Sequence, residues 1–390
     1  MTTTTATAGT ASTSRSSGYD GEVFTPSRLT LARRRRGYTK KRVAELAGLT
    51  PRIIVAYEAG EREPSPKTLV TLADVLRFPV AFFEGDDLEP VADEAASFRS
   101  LSKTAVGRRY AALAAGELAF ELQDWISARF SLPASDVPQL GPGGVDPETA
   151  AQVVRAEWRL GEKPAPNLVH LLEAHGVRVF SLAEECYDVD AFSLWRGGEQ
   201  PYVFLNTQKS GERSRFDAAH ELGHLVMHWH HDGPQGREAE QQANRFAAAF
   251  LMPGASITST VPRSPSLDQI IRAKQPWRVS AAAFTHRLHQ LGALTDWHYR
   301  MLYMEIGRRG YRTGEPNGIQ RETSQILNKV FAALRKESIT KADIARRLRL
   351  NSADLDALVF GLVMLSARSP AGGEPSVPTP LPRPRELRLV

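Results

Sequence analysis

His220-Glu221-Leu222-Gly223-His224 constrains this chain more than any other stretch. It lies within the largely apolar run from Phe216 to Met227, which reads as helix. Residues four apart on a helix sit about 40° apart around the axis and about 6 Å apart along it. Both imidazoles therefore leave one face and can grip one metal ion. Glu221 stands beside the first of them, where a general base belongs rather than a ligand. Two histidines with that glutamate make the H-E-x-x-H arrangement of zinc hydrolases. Ala218, Ala219, Leu222, Leu225 and Val226 pack the helix on more than one side. Unpaired imidazoles would be costly to bury there, and metal ligation satisfies them.

Two histidines leave a catalytic zinc one protein ligand short. His230 falls where the third histidine of an extended H-E-x-x-H-x-x-G-x-x-H site would fall, but Met227 replaces the glycine that would turn the chain. Leu225 to Trp229 reads as continuing helix, so His228, His230 and His231 are expected at a polar helix end facing solvent. Glu240 is the stronger candidate. Glu238 to Met252 is helical by propensity and is stopped by Pro253-Gly254. Glu240, Asn244, Ala247 and Leu251 share one stripe of that helix, which can aim the acid into a core site. A solvated first-turn carboxylate is the alternative for Glu240 and the better account of Glu238.

The remaining composition narrows the class. A chain of 390 residues has room for two or three domains. Its 42% hydrophobic and 24% charged content are those of an ordinary globular protein. The single cysteine, Cys186, excludes a disulfide framework and a cysteine-based zinc site, and reads as an inert small side chain. No apolar run is long enough to span a bilayer, and the Thr/Ser-rich residues 1–21 lack the apolar core of a secretory signal. They read as a disordered tail, and the expected location is the cytoplasm. A net charge of +5 permits a nucleic-acid partner without requiring one.

Residues 26–84 read as a compact helical unit. Thr39 caps a helix ended by Gly48, and Thr50 caps the next, with Pro51 at its first position. A helix, a short glycine turn and a helix is the geometry of helix-turn-helix domains. Tyr38 to Thr50, followed by Tyr57-Glu58-Ala59-Gly60-Glu61-Arg62-Glu63-Pro64-Ser65, resembles the phage-repressor (XRE) class. The unit departs from that class where bases would be read. Arg52 is the only residue on the front of the third helix able to make a bidentate base contact, and Lys40 stands where the class has Gln. Arg33 to Arg36, Lys40, Lys41 and Arg42 are expected to hold phosphates, or else to form a solvated face. The expectation is weak or shape-biased DNA binding, with docking onto protein left open.

Arg215 to His224, then Glu240-Gln241-Gln242-Ala243-Asn244-Arg245-Phe246-Ala247 and Phe250-Leu251-Met252-Pro253, resemble the ImmA/IrrE family of metallopeptidases. The resemblance spans roughly residues 95–310. It implies that His220, His224 and Glu240 bind one zinc per chain, with Glu221 as catalytic acid/base. It also implies a first helix from Ala151 to Gly161, a second from Asn167 to Gly176, and a strand at Tyr202 to Asn206 before the catalytic helix. The group that stabilises the oxyanion is not visible; His228, His230 and Arg215 are candidates.

Beyond the core, Phe98 to Phe130 reads as a long amphipathic bridge. Residues 311–368 read as a helical region, and residues 369–390 as a disordered Pro-rich tail. Ile339 to Leu365 suits a second helix-turn-helix or a plain helical hairpin. The expected fold is mainly α with a small β-sheet: an all-helical helix-turn-helix domain, an α+β zincin-like domain and a helical C-terminal extension. The expected function is a DNA-binding regulator fused to a zinc endopeptidase that cleaves a protein, with a co-encoded helix-turn-helix repressor as candidate substrate. The rival is a non-enzymatic transcription factor whose zincin-like domain senses a ligand or partner. No membrane partner is expected, and a homodimer is compatible with either.

Overall fold

The computed structural model describes residues 23–91, 106–141, 145–182, 189–229, 234, 236–363 and 385–386. The expected tails, apart from residues 385–386, lie outside the described residues, as do Cys186, His230 and His231. Helices dominate, and the expected fold class is what the chain adopts.

Four helices build the N-terminal unit: α1 (Pro26–Arg35), α2 (Lys40–Ala47), α3 (Pro51–Glu58) and α4 (Pro66–Leu76), followed by a 3-10 turn at Val80–Glu84. Local chemistry sets their ends. The Thr39, Thr50 and Ser65 side chains accept from the backbone N–H groups of Arg42, Ile53 and Thr68. Gly48 closes α2 in the left-handed region at φ 65°, which costs a glycine nothing. Leu29, Ala32, Val43, Ile54, Leu72 and Leu76 form the unit's core.

The next helix, α5 (Val106–Ser127), bridges the N-terminal unit and the sheet as the sequence suggests, but it is not amphipathic. It is buried on almost every side, because α1 packs on one face and the sheet on another. Gly116 lies against Phe204 and Phe192 of the sheet. Gly107 meets the α1 terminus: a Cβ there would stand 2.9 Å from the Gly37 carbonyl oxygen.

After a two-residue strand β1 (Phe130–Ser131) come α6 (Pro147–Glu157) and α7 (Leu168–Ala174). Then follow β2 (Arg178–Ser181), β3 (Ala191–Arg196) and β4 (Gln200–Leu205). The sheet order is β2-β4-β3, with β2 parallel and β3 antiparallel to β4. Phe192 stacks on Phe204 at 4.4 Å across β3 and β4. The sheet carries α8 (Gly211–Met227), and α9 (Gly236–Leu251) packs tightly on α8 and α6. Gly223 makes that approach possible, since a Cβ would stand 2.9 Å from the Phe246 ring.

Short helices α10 (Gly254–Thr258), α11 (Leu267–Ala273), α12 (Ala281–Gln290) and α13 (Asp296–Arg308) follow. The C-terminal region holds α14 (Gln325–Lys336), α15 (Lys341–Arg347) and α16 (Ser352–Val359), with β5 (Arg385–Glu386) pairing parallel to β1. Buried carboxylates anchor this region. Glu173 accepts from the Ser324 hydroxyl and from the Gln325 and Ile326 N–H groups. Glu322 accepts from Leu168 N–H and pairs with Arg215 at 2.6 Å.

The α15–α16 pair has helix-turn-helix spacing, but the would-be reading helix is not free. Asp354, 2% exposed, accepts 2.8 and 2.7 Å hydrogen bonds from the two terminal nitrogens of Arg36. Arg35 approaches the same carboxylate at 3.3 Å. The hairpin therefore docks onto the N-terminal unit.

Candidate metal centre

The centre is made where α8 crosses α9. Ser210 caps α8 by accepting from the Arg213 N–H, and Glu212 sits in the first turn. At the other end, Trp195 and Trp229 fix the neighbourhood through hydrogen bonds to Leu225 O and Leu140 O. Helical spacing then presents His220 and His224 on one face, and α9 brings Glu240 opposite them.

The Nε2 atoms of the two histidines are 3.1 Å apart. Each lies 3.3 Å from a different oxygen of Glu240. A tetrahedral ion with bonds of about 2.0–2.1 Å needs ligand atoms about 3.3 Å apart, so the three separations fit one ion. The proton positions agree. His220 Nδ1 lies 3.1 Å from Asn244 Oδ1, an acceptor, so Nδ1 carries the proton and Nε2 is a lone pair. A lone pair aimed at a carboxylate and at a second ring nitrogen calls for a cation between them. His220, His224 and Glu240 are the one such cluster among the described residues.

The electrostatics of His224 and Glu240 suit ligation, and those around His220 draw positive charge to the site. Burial drives His224 down to about 4, leaving it neutral at ordinary pH. Burial also presses on His220, but Glu240, Glu221 and Asp217 outweigh it and hold its pKa above the usual value. Burial alone would raise Glu240, yet the two imidazoles hold it at about 2, so it is ionised.

Glu221 is 4% exposed and faces the same cleft but stands outside the cluster that could hold a metal. Ser193 of β3, itself 2% exposed, donates a 2.7 Å hydrogen bond to Glu221 Oε2. The cleft has a volume of about 1030 Å³. Lys209, Arg213, Asp217 and the Tyr311 to Thr313 segment line it beside His220, Glu221 and Glu240. Lys209 pairs with Asp190, and burial lowers it to about 8. Tyr311, Arg312, Thr313 and Glu315 lie beyond the boundary at 310 drawn from the sequence, so the C-terminal region supplies part of the cleft wall.

Several expectations need correction. His228 does not face solvent: its Nδ1 lies 3.0 Å from His224 Nδ1 and its Nε2 lies 3.0 Å from Gln242 Oε1. Arg215 is 1% exposed and is held by Glu322 and the carbonyls of Ala165 and Pro166, which leaves it unsuited to an oxyanion. Glu238 is exposed, as expected of a first-turn carboxylate. Sequence reasoning missed Ser193, Gln242 and the role of His228, all of which depend on contacts between separate elements.

The arginines expected to hold phosphates are engaged within the chain. Arg33 forms a paired contact with Glu58 and donates to Tyr38 O. Arg34 lies over the Tyr110 ring at 4.7 Å. Arg36 donates to Leu76 O and Arg77 O as well as to Asp354. Lys40 is 41% exposed beside Glu58, Lys41 is 78% exposed, and Arg52 is exposed at the start of α3. The docked side of the unit is α1, and on α2 and α3 Lys41, Arg52 and Val55 are exposed among the described residues.

Residues 172–289 match the family of the IrrE N-terminal-like domain, a peptidase family, and residues 29–83 match a helix-turn-helix family. The chain joins a helix-turn-helix to an IrrE N-terminal-like domain. No curated protein matches it. The IrrE-like match runs from α7 through α12 and so contains every residue that converges on the centre. The helix-turn-helix match covers α1 to α4 almost completely.

Proposed function

We propose that the chain is a DNA-binding regulator whose IrrE-like domain is a zinc endopeptidase acting on a protein substrate. The observation that carries this reading is the convergence of His220, His224 and Glu240 beside a buried Glu221 that takes no part in ligation. A purely structural metal site has no use for that fourth group. Zinc, when bound by the three ligands, would supply an acidified water and a polarised substrate carbonyl. Glu221 takes a proton from the attacking water and passes it to the leaving amine. Ser193 holds the Glu221 carboxylate in line for both transfers. The cleft walls bind the peptide on either side of the scissile bond.

The helix-turn-helix contributes partner recognition through the open face of α2 and α3. Lys40 and Lys41 hold phosphates, and Arg52 reads a base edge. A co-encoded helix-turn-helix repressor is the substrate that best suits a regulator of this construction. No described helix is long and apolar enough to cross a membrane, and the proposed location is the cytoplasm. The domain divisions follow the same reading: residues 26–84, 95–310 and 311–368.

Metal analysis of purified variants tests the centre. Wild type should carry one zinc per chain. His220→Ala and Glu240→Ala should lose it, while Glu221→Gln should keep it and lose peptide cleavage. Full zinc in Glu240→Ala would remove that residue from the ligand set. A Glu221→Gln form that still cleaves would overturn the catalytic assignment.

A further inference from the structure

The contacts behind His224 form a line in which each proton has only one place to go. Glu238 accepts from Gln242 Nε2 at 3.4 Å. That contact sets the amide orientation and turns Gln242 Oε1 toward His228. Gln242 Oε1 is an acceptor, so the His228 Nε2 at 3.0 Å carries a proton and donates it. A neutral His228 then presents a lone pair on Nδ1. His224 Nδ1, 3.0 Å away, must be the donor. His224 Nε2 is left as a lone pair directed at Glu240 and His220.

We propose that His228 is a positioning residue for the metal centre: it fixes His224 with its proton on Nδ1 and so keeps Nε2 open to the metal. His228 belongs to the end of α8, one turn beyond His224, where its backbone N–H still donates to His224 O at 2.9 Å. It stands outside the cluster that would hold the metal. Its influence runs through the orientation and basicity of a ligand, as partners behind metal-bound histidines generally act. The proposal deepens the metal-centre reading and rests on it for its effect on zinc, though not for the tautomer itself.

The test compares the full-length wild type with His228→Leu, His228→Asn and Gln242→Leu, with zinc alone as the probe. Competition against a chelator gives the zinc affinity of each, and circular dichroism with melting reports the fold. His228→Leu should bind zinc about 10–100-fold more weakly while remaining folded. His228→Asn should recover most of that loss, because Oδ1 can accept where Nδ1 did. Gln242→Leu should show a smaller loss, because His228 then loses the partner that fixes its own proton.

The second readout needs no zinc. Nitrogen NMR of the metal-free protein with labelled histidine should show His224 protonated on Nδ1, a preference diminished in His228→Leu. A wild-type His224 protonated on Nε2 would overturn the proposal, as would zinc affinity in His228→Leu within about twofold of wild type. A wild type that shows the Nδ1 proton but binds no zinc would sink the metal-centre reading and leave the tautomer assignment standing.

Discussion

Glu221 is oriented from outside its own helix. The Ser193 hydroxyl that donates to its Oε2 comes from the edge strand β3, and both groups are buried. A hydrogen bond to a charged group is worth about 1.5–3 kcal/mol. Ser193→Ala should therefore lower turnover by about 10–100-fold and leave zinc content unchanged, measured as kcat beside metal analysis. Unaltered kcat would show that Glu221 needs no such support. The pair His220 and His224 was legible in the sequence because helix geometry alone sets their relation. Glu240 was legible as the acid at the head of an apolar stripe. Ser193 and His228 were not, because a serine in a strand and a histidine at a helix end carry no pattern until β3 and α9 are placed against α8.

At the scale of elements, the centre depends on how closely α8 and α9 approach. Phe246 is fully buried against Gly223 and has nowhere to retreat. Gly223→Ala should separate the two helices, weaken zinc retention and lower the melting temperature. A variant with unchanged zinc affinity would show that the ring can give way. Helix α5 shows where sequence periodicity misleads. Its many alanines and its Gly116 let two neighbours pack on it at once, so a pattern that reads as one polar and one apolar face becomes continuous burial from Ala111 to Phe120.

That burial has a measurable consequence at Glu117 on α5. Burial raises its pKa from 4.5 to about 7, against the opposing pull of the Val91 N–H and Arg34. The folded chain keeps a proton there over a range in which the unfolded chain has released it. This contribution to stability is intact below pH 4.5 and lost as pH rises through about 7. Glu117→Gln should flatten that fall and stabilise the protein at pH 8 by about 1–3 kcal/mol. Denaturant melts of both forms at pH 5 and pH 8 measure it. An equal pH dependence in the two would place the titration elsewhere.

Across the whole molecule, Arg34, Arg35 and Arg36 at the end of α1 are the docking strip that holds the helix-turn-helix to the rest of the chain. Asp354→Asn should loosen the unit, read as faster proteolysis in the α4–α5 connection, because it leaves Arg35 and Arg36 short of their carboxylate. DNA binding should respond to other residues. Neutralising Lys40 and Lys41 should flatten the salt dependence on every sequence. Arg52→Ala should cost about 1–3 kcal/mol of discrimination between sequences. If Arg35→Ala and Arg36→Ala flatten the salt slope more than the lysine changes do, the docking strip also meets DNA.

The clamp also sets an order of events during synthesis. Arg36 and Asp354 are separated by 318 positions. A ribosome adding about 5–20 residues per second finishes the helix-turn-helix tens of seconds before its partner carboxylate exists. During that interval the nascent unit displays Arg35 and Arg36 without their counter-charge. A chain that stops short of α16 would display them permanently, and would be a stickier polycation than the finished protein.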